Sequence, residues 1–85
     1  LAVIMSKKIR GNTQMIWLTD IRKRLQEAIK ESGMTQSEIA RRLHISQATV
    51  AQYLSGRSMP ALDTFANLCA VLDADPAYIL CLKNY

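Results

Sequence analysis

Residues 35–56 read TQSEIARRLHISQATVAQYLSG and predict two short helices that meet at a sharp turn. Thr35 is a good N-cap for the first helix, and Glu38 stands three residues later, which is the spacing of a capping box. Ser46 is the N-cap expected for the second helix, and Gly56 ends it. Two helix starts so close together leave room for only one short helix between them.

Apolar residues at helical spacing follow each of these starts. We expect the two apolar stripes to face each other and a shared core, with Ile45 filling the wedge at the turn. This arrangement is typical of a helix-turn-helix. The stripes are Ile39, Ala40 and Leu43 in the first helix and Val50, Tyr53 and Leu54 in the second.

Length and composition favour one small all-α domain. The chain has 85 residues, of which 49% are apolar, and it contains only three Gly and two Pro. Its apolar runs are too short to span a membrane, and the opening LAVIM is shorter than a secretory signal peptide requires. We therefore expect a cytoplasmic protein with no membrane contact.

The titratable residues do not form a recognisable catalytic or metal-binding pattern. Cys69 and Cys81 are too few for a disulfide framework, and the single His leaves no metal-ligand set. We expect both cysteines to be small buried apolar groups. Because a glycine-rich phosphate loop is also absent from the sequence, we expect no enzymatic activity, no cofactor and no metal.

Charge is distributed unevenly along the chain. Residues 1–60 carry ten Lys or Arg against four Asp or Glu, whereas residues 61–85 carry one Lys against three Asp. The basic part contains the two paired helices, which suggests a polyanionic partner for it. A solvated charged surface is an equally weighted alternative on charge alone.

Residues 1–18 precede the predicted domain, which spans residues 19–85. Three interpretations of this extension remain open: a basic arm in which Lys7, Lys8 and Arg10 follow a DNA backbone, a strand or packing element, or a partly disordered segment. We prefer packing or a dimer contact for residues 15–18.

The first helix of the domain is predicted to run from a cap at Thr19 or Asp20 to about Ser32, with Gly33 in a left-handed conformation after it. Three basic residues crowd its first turns, where cations oppose the helix dipole. They are expected to form an exposed face, with a nearby phosphate as the alternative. These residues are Arg22, Lys23 and Arg24.

Two more helices are predicted after Gly56. Pro60 is expected to open the first of them, and Asp75 and Pro76 the second. The first has a core-facing stripe of Leu62, Phe65, Ala66, Cys69 and Leu72. The second is apolar on nearly every side through Tyr78, Ile79, Leu80 and Leu82, so we expect part of it to be a dimer contact.

In this order of helices the chain resembles the phage-repressor (Cro-type, xenobiotic-response-element) family of DNA-binding domains, from about Ile21 to Leu82. The resemblance implies an all-α, five-helix lambda-repressor-like DNA-binding domain with the helix-turn-helix at helices 2 and 3. His44 departs from the pattern, since the family commonly has Gly there, but we expect the turn to be retained. The matching positions are Gln36, Ile39, Ala40, Leu43, Ile45, Ser46, Val50, Tyr53, Gly56, Pro60, Leu62, Phe65, Leu68, Leu72, Ile79 and Leu80.

The resemblance also implies which residues contact DNA. The N-terminal part of the second paired helix is expected to lie in the major groove, where a Gln amide can pair with adenine. Gln36 is expected to grip a phosphate and to brace Gln47. The implied base contacts are Ser46, Gln47, Ala48, Thr49 and Gln52, the implied phosphate contacts are Gln36, Tyr53, Ser55, Arg57 and Ser58, and the candidates for a homodimer contact are Trp17, Tyr78, Ile79 and Leu82.

These expectations describe a sequence-specific regulator of transcription that binds double-stranded DNA. A homodimeric repressor is the favoured form, and no small-molecule ligand is evident. Two alternatives remain open. One is the DNA-binding antitoxin of a toxin–antitoxin pair, whose apolar C-terminus or N-terminal extension would hold a protein partner. The other is a small helical protein-interaction module without DNA binding.

Overall fold

The computed structural model describes residues 15–84, and the predictions for residues 1–14 lie outside this range. Over residues 15–84 the chain forms five helices and no strands, as the sequence predicts, with the helix-turn-helix at the second and third. The helices are α1 (Leu18–Glu31), α2 (Gln36–Leu43), α3 (Gln47–Ser55), α4 (Leu62–Leu72) and α5 (Pro76–Ile79).

The start of α1 differs from the prediction. Trp17 is the N-cap residue and its side chain makes no capping hydrogen bond, so the predicted caps Thr19 and Asp20 are wrong and lie inside the helix. The other end is as predicted, because Gly33 adopts a left-handed conformation with φ of 74°.

One core joins all five helices. α2 packs against α3 and α4, while α1 packs against α3 and α5. The buried face of α3 is therefore held on two sides, which fixes the direction of its opposite face. The core residues are Leu25, Ile29, Ile39, Ala40, Val50, Tyr53, Phe65, Leu68, Cys69, Leu72 and Ile79.

The apolar stripe of α4 is shorter at its start than predicted. Leu62 is 86% exposed and Ala66 is also exposed, whereas Leu68 is fully buried. The N-cap is Ala61, so Pro60 lies before the helix rather than at its first position. Leu62 stands one turn before Phe65, beyond the end of the core.

The last helix is also shorter than the apolar pattern predicts. The carboxylate of Asp75 accepts a hydrogen bond from the Ala77 N–H at 2.9 Å, so the predicted cap is confirmed, but α5 ends at Ile79. Cys81 takes a positive φ of 64°, which turns the chain. Ile79 is 1% exposed, so its assignment as a dimer contact is wrong.

Both cysteines are buried, as predicted, and no disulfide joins them. Burial, with a smaller contribution from the negative charge of Asp75, raises the pKa of the Cys69 thiol. Within residues 15–84 no helix has the length and apolar composition needed to cross a membrane.

Candidate nucleic-acid interface

The cap of α2 forms in part as predicted. The Thr35 hydroxyl accepts a hydrogen bond from the Glu38 N–H at 3.1 Å. The Glu38 carboxylate does not complete a capping box, because it pairs with the Arg42 guanidinium at 3.0 Å and lies 3.9 Å from that of Arg41. Both arginines are on the outer face of α2, so Glu38 reduces the positive charge of that face.

The turn between α2 and α3 accommodates His44 in place of Gly. His44 adopts a left-handed conformation with φ of 57° and ψ of 41°. The turn is closed by the Ile45 N–H, which donates to the Ala40 carbonyl at 3.0 Å, and Ile45 packs against the core as predicted. The prediction that the turn is retained is confirmed.

Two hydroxyl groups lie together at the start of α3. The Ser46 Oγ accepts a hydrogen bond from the Thr49 N–H at 3.1 Å and lies 2.7 Å from the Thr49 Oγ1. One hydroxyl donates to the other, so only one of the two protons is available to an external acceptor. In the free protein, therefore, the Ser46 and Thr49 hydroxyls are hydrogen-bonded to each other.

The outer face of α3 presents the predicted glutamines. Gln47, Ala48 and Gln52 are exposed, while Val50 and Tyr53 lie on the buried side. A shallow concavity of about 500 Å³ on the outer face includes Ala51, which the sequence-based assignment missed. Its helical spacing from Ala48 places it on the same face and was available from the sequence. The concavity is lined by Ala48, Ala51, Gln52, Ser55 and Arg57.

Tyr53 does not fit its predicted role as a phosphate contact. Its side chain is only 6% exposed, and it belongs to the core formed with the neighbouring helices. This burial raises the pKa of the phenol. Tyr53 packs on the buried side of α3, as its place in the predicted apolar stripe indicates, and is not a phosphate contact.

The end of α3 gathers the other predicted phosphate contacts. Gly56 takes a positive φ of 81°, and the Arg57 N–H donates to the Gln52 carbonyl at 3.0 Å. The Ser55 hydroxyl donates to the same carbonyl at 3.1 Å, and that of Ser58 donates to the Gln52 side-chain oxygen at 3.4 Å. Ser55, Arg57 and Ser58 therefore lie close together around Gln52, and the Arg57 side chain is exposed.

A family model described as helix-turn-helix matches residues 25–79 of the chain. This chain belongs to that phage-repressor-like helix-turn-helix family. Comparison with curated proteins and comparison with solved structures gave no match. The matched range contains α2, the turn at His44 and α3, and it supports a DNA-binding regulatory role.

Gln36 begins α2 in this helix-turn-helix domain, next to backbone N–H groups of the first helical turn. Its side chain is half-buried. Within residues 15–84 no hydrogen bond joins Gln36 to Gln47, so the expected brace between them is not formed.

Arg24 in the first helix of the domain faces the C-terminal segment rather than an external phosphate. Its guanidinium donates to the carbonyl oxygens of Tyr78 at 2.7 Å and Lys83 at 2.9 Å. It also lies 4.3 Å from the centroid of the Tyr78 ring. The expectation of an exposed or phosphate-binding face is therefore wrong for Arg24, whereas Lys23 is exposed as expected.

The remaining dimer candidates of the helix-turn-helix domain differ in exposure. Trp17 is 63% exposed and Leu82 is 38% exposed, whereas Tyr78 is half-buried beneath Arg24. Met15 and Leu18 are also exposed beside Trp17. Trp17 and Leu82 are thus the candidates most available to a second molecule.

Proposed function

We propose that this protein is a transcriptional repressor that binds operator DNA as a homodimer, with α3 in the major groove, and that it has no enzymatic activity. The observation that carries the proposal is that α3 has one buried side and one exposed polar side. Its buried side is fixed by Val50 and Tyr53, while Gln47, Ala48 and Gln52 project from the other side in a helix-turn-helix domain.

The exposed side chains of α3 suit contacts with base edges. A Gln amide carries a donor and an acceptor side by side and can bond to adenine N6 and N7, and the Ala48 methyl can pack on a thymine methyl. Gln47 is exposed at the first position of α3, whereas the side-chain oxygen of Gln52 already accepts a bond from Ser58. We assign Gln47 the main role in base choice, with secondary roles for Ser46, Thr49 and Gln52.

Phosphate contacts are proposed at both ends of the exposed surface formed by α2 and α3. At one end Gln36 and the first-turn N–H groups of α2 offer donors to a phosphate oxygen. At the other end Arg57 is exposed, with the Ser55 and Ser58 hydroxyls beside it. These contacts would fix the position of α3 on the duplex without selecting its sequence.

A homodimer is proposed because one recognition helix covers only a few base pairs. Family members of this kind bind two half-sites about one helical turn apart. The exposed apolar side chains of Trp17 and Leu82 are the proposed contact, since both retain apolar surface that a second molecule could cover. Repression would follow from occupancy of the operator, which blocks polymerase.

The exposed apolar residues at the start of α1 favour one second candidate, an antitoxin that binds DNA and a protein partner. Met15, Trp17 and Leu18 are each more than half exposed, and they lie outside the range matched by the family model. Co-purification of a stoichiometric protein encoded beside the gene would favour the antitoxin over the repressor.

Selection of duplexes from a random pool, followed by titration of the selected duplex at several salt concentrations, tests the proposal. We expect an enriched sequence with two related half-sites and a negative log–log slope of about 0.9 per phosphate neutralised. Light scattering should give the mass of a dimer on that duplex. No enriched sequence and no salt dependence would favour a protein-interaction module, and a monomer on the duplex would remove the dimer.

A further inference from the structure

Arg22 of α1 lies against the C-terminal end of α3. A methyl group added to the Gly56 Cα would be 2.8 Å from the Arg22 Cδ and 3.4 Å from its Nε. One turn further along α1, the Gln26 amide donates to the Leu54 carbonyl at 2.7 Å. α1 therefore holds the C-terminal end of α3 through two adjacent side chains, and the Arg22 stem is packed under the Gly56 turn.

The guanidinium of Arg22 has donors without acceptors. Its Nε is shielded from solvent and has no hydrogen-bond partner among the described residues. Its terminal nitrogens are not shielded in this way, and within residues 15–84 they too have no hydrogen bond or carboxylate partner. Arg24 and Arg42, by contrast, each donate to acceptors within the protein. Arg22 is thus a positioned arginine whose outer donors remain open to an external anion.

The position of Arg22 brings a second arginine to the proposed phosphate-binding end of α3. Arg57 follows Gly56 in the chain, and Arg22 contacts Gly56 from the first helix. The last turn of α3 contains no basic residue of its own. A planar guanidinium whose terminal nitrogens lack a protein acceptor is well suited to the oxygens of a phosphate.

We infer that Arg22 binds a DNA backbone phosphate at the C-terminal end of α3, so that arginines from α1 and from the loop after α3 act on the same stretch of backbone. This inference rests on the proposed function. Arg22 precedes the residues matched by the family model, so the family match does not assign it this role. Gly56 has a double function in this arrangement, because it provides the positive φ and leaves room for the Arg22 stem.

Arg22→Met tests the contact, because Met retains an unbranched apolar stem and removes the charge. Lys23→Met is the matched control, since it removes the same charge from the neighbouring exposed position. For Arg22→Met we expect weaker binding of the selected and of an unrelated duplex, with a salt slope shallower by about one. Lys23→Met should keep the wild-type slope. A wild-type slope for Arg22→Met, with or without a lower melting temperature, would overturn the inference, as would equal slope changes in both variants.

A measurement on the wild-type protein covers the case in which Arg22→Met does not fold. An arginine-specific dicarbonyl reagent is applied with and without saturating selected duplex, and modified peptides are quantified by mass spectrometry. We expect the duplex to protect Arg22 and Arg57 but not Arg41 on the outer face of α2. Reaction of Arg22 at an unchanged rate in a duplex-bound protein overturns this inference alone, whereas absence of salt-dependent duplex binding overturns the proposed function with it.

Discussion

The guanidinium of Arg24 lies over the ring of Tyr78, 4.3 Å from the ring centroid, and donates to the carbonyl oxygen of the same residue at 2.7 Å. It also reaches the Lys83 carbonyl and the Asn84 side chain. Lys at this position would keep the charge but lose the planar fork that serves several acceptors. We expect Arg24→Lys to lower the free energy of unfolding by about 1–3 kcal/mol, measured by urea titration. The salt slope of DNA binding should remain that of the wild type, and an unchanged unfolding curve would show that these contacts do not stabilise the C-terminal segment.

Gln47→Ala separates base recognition from backbone attachment. The change removes the amide from an exposed position and leaves a good helix former at the start of α3. We expect binding of the selected duplex to weaken by about 1–3 kcal/mol, with relaxed choice at one base pair. Fluorescence anisotropy on duplexes that carry each base at that position measures both effects.

Arg57→Ala is the contrasting variant for that experiment. It should weaken selected and unrelated duplexes alike and make the salt slope shallower by about one. If Gln47→Ala and Arg57→Ala gave the same pattern across duplexes, the assignment of one to bases and the other to the backbone would be wrong.

Most features encoded within one or two helical turns were predictable from the sequence, although the caps predicted for α1 and the capping-box role of the Glu38 carboxylate were wrong. Thr35, Ser46 and Asp75 each accept the capping hydrogen bond expected of them, because a cap depends on residues two or three positions away. The periodic apolar residues of α2 and α3 likewise identified the buried side of the helix-turn-helix. The family match then confirmed the type of domain.

Features that depend on distant parts of the chain were not predictable. Leu62 has the spacing of a core residue, but the buried stripe of α4 begins only one turn later, at Phe65. Tyr53 had two conflicting predictions, a place in the apolar stripe of α3 and a phosphate contact at its end, and only the packing of neighbouring helices shows that the ring is buried too deeply for the second. The contact of Arg24 with Tyr78 joins residues from opposite ends of the domain, so periodicity carries no signal for it.

His44→Gly tests the free-energy cost of having His rather than Gly in the turn between α2 and α3. His44 is exposed and has φ of 57°, a conformation that costs an L-residue about 1–2 kcal/mol and that glycine adopts readily. Part of that gain is offset by the greater freedom of glycine in the unfolded chain. We expect His44→Gly to raise the free energy of unfolding by about 0.5–1 kcal/mol and His44→Val, the control, to lower it. A lower stability for His44→Gly would mean that the imidazole makes a stabilising contact.

Asp75→Asn links stability to pH through the ion pair with Lys83. A hydrogen bond from Lys83, followed by one from the Ala77 N–H, holds the pKa of the Asp75 carboxyl below its usual value. Because the pKa is lower in the folded state, the ionised carboxylate stabilises the fold above the unfolded-state pKa of about 4, and this contribution is lost as the pH falls through the folded-state pKa. Asn retains an acceptor for the Ala77 N–H but carries no charge. We therefore expect the wild type to melt at a higher temperature than Asp75→Asn near neutral pH, and the two melting temperatures to converge as the pH falls below about 4. In a Lys83→Met background the difference in melting temperature between Asp and Asn at position 75 should be smaller at neutral pH. If that difference stayed constant across the pH range, the carboxylate charge would not contribute to stability.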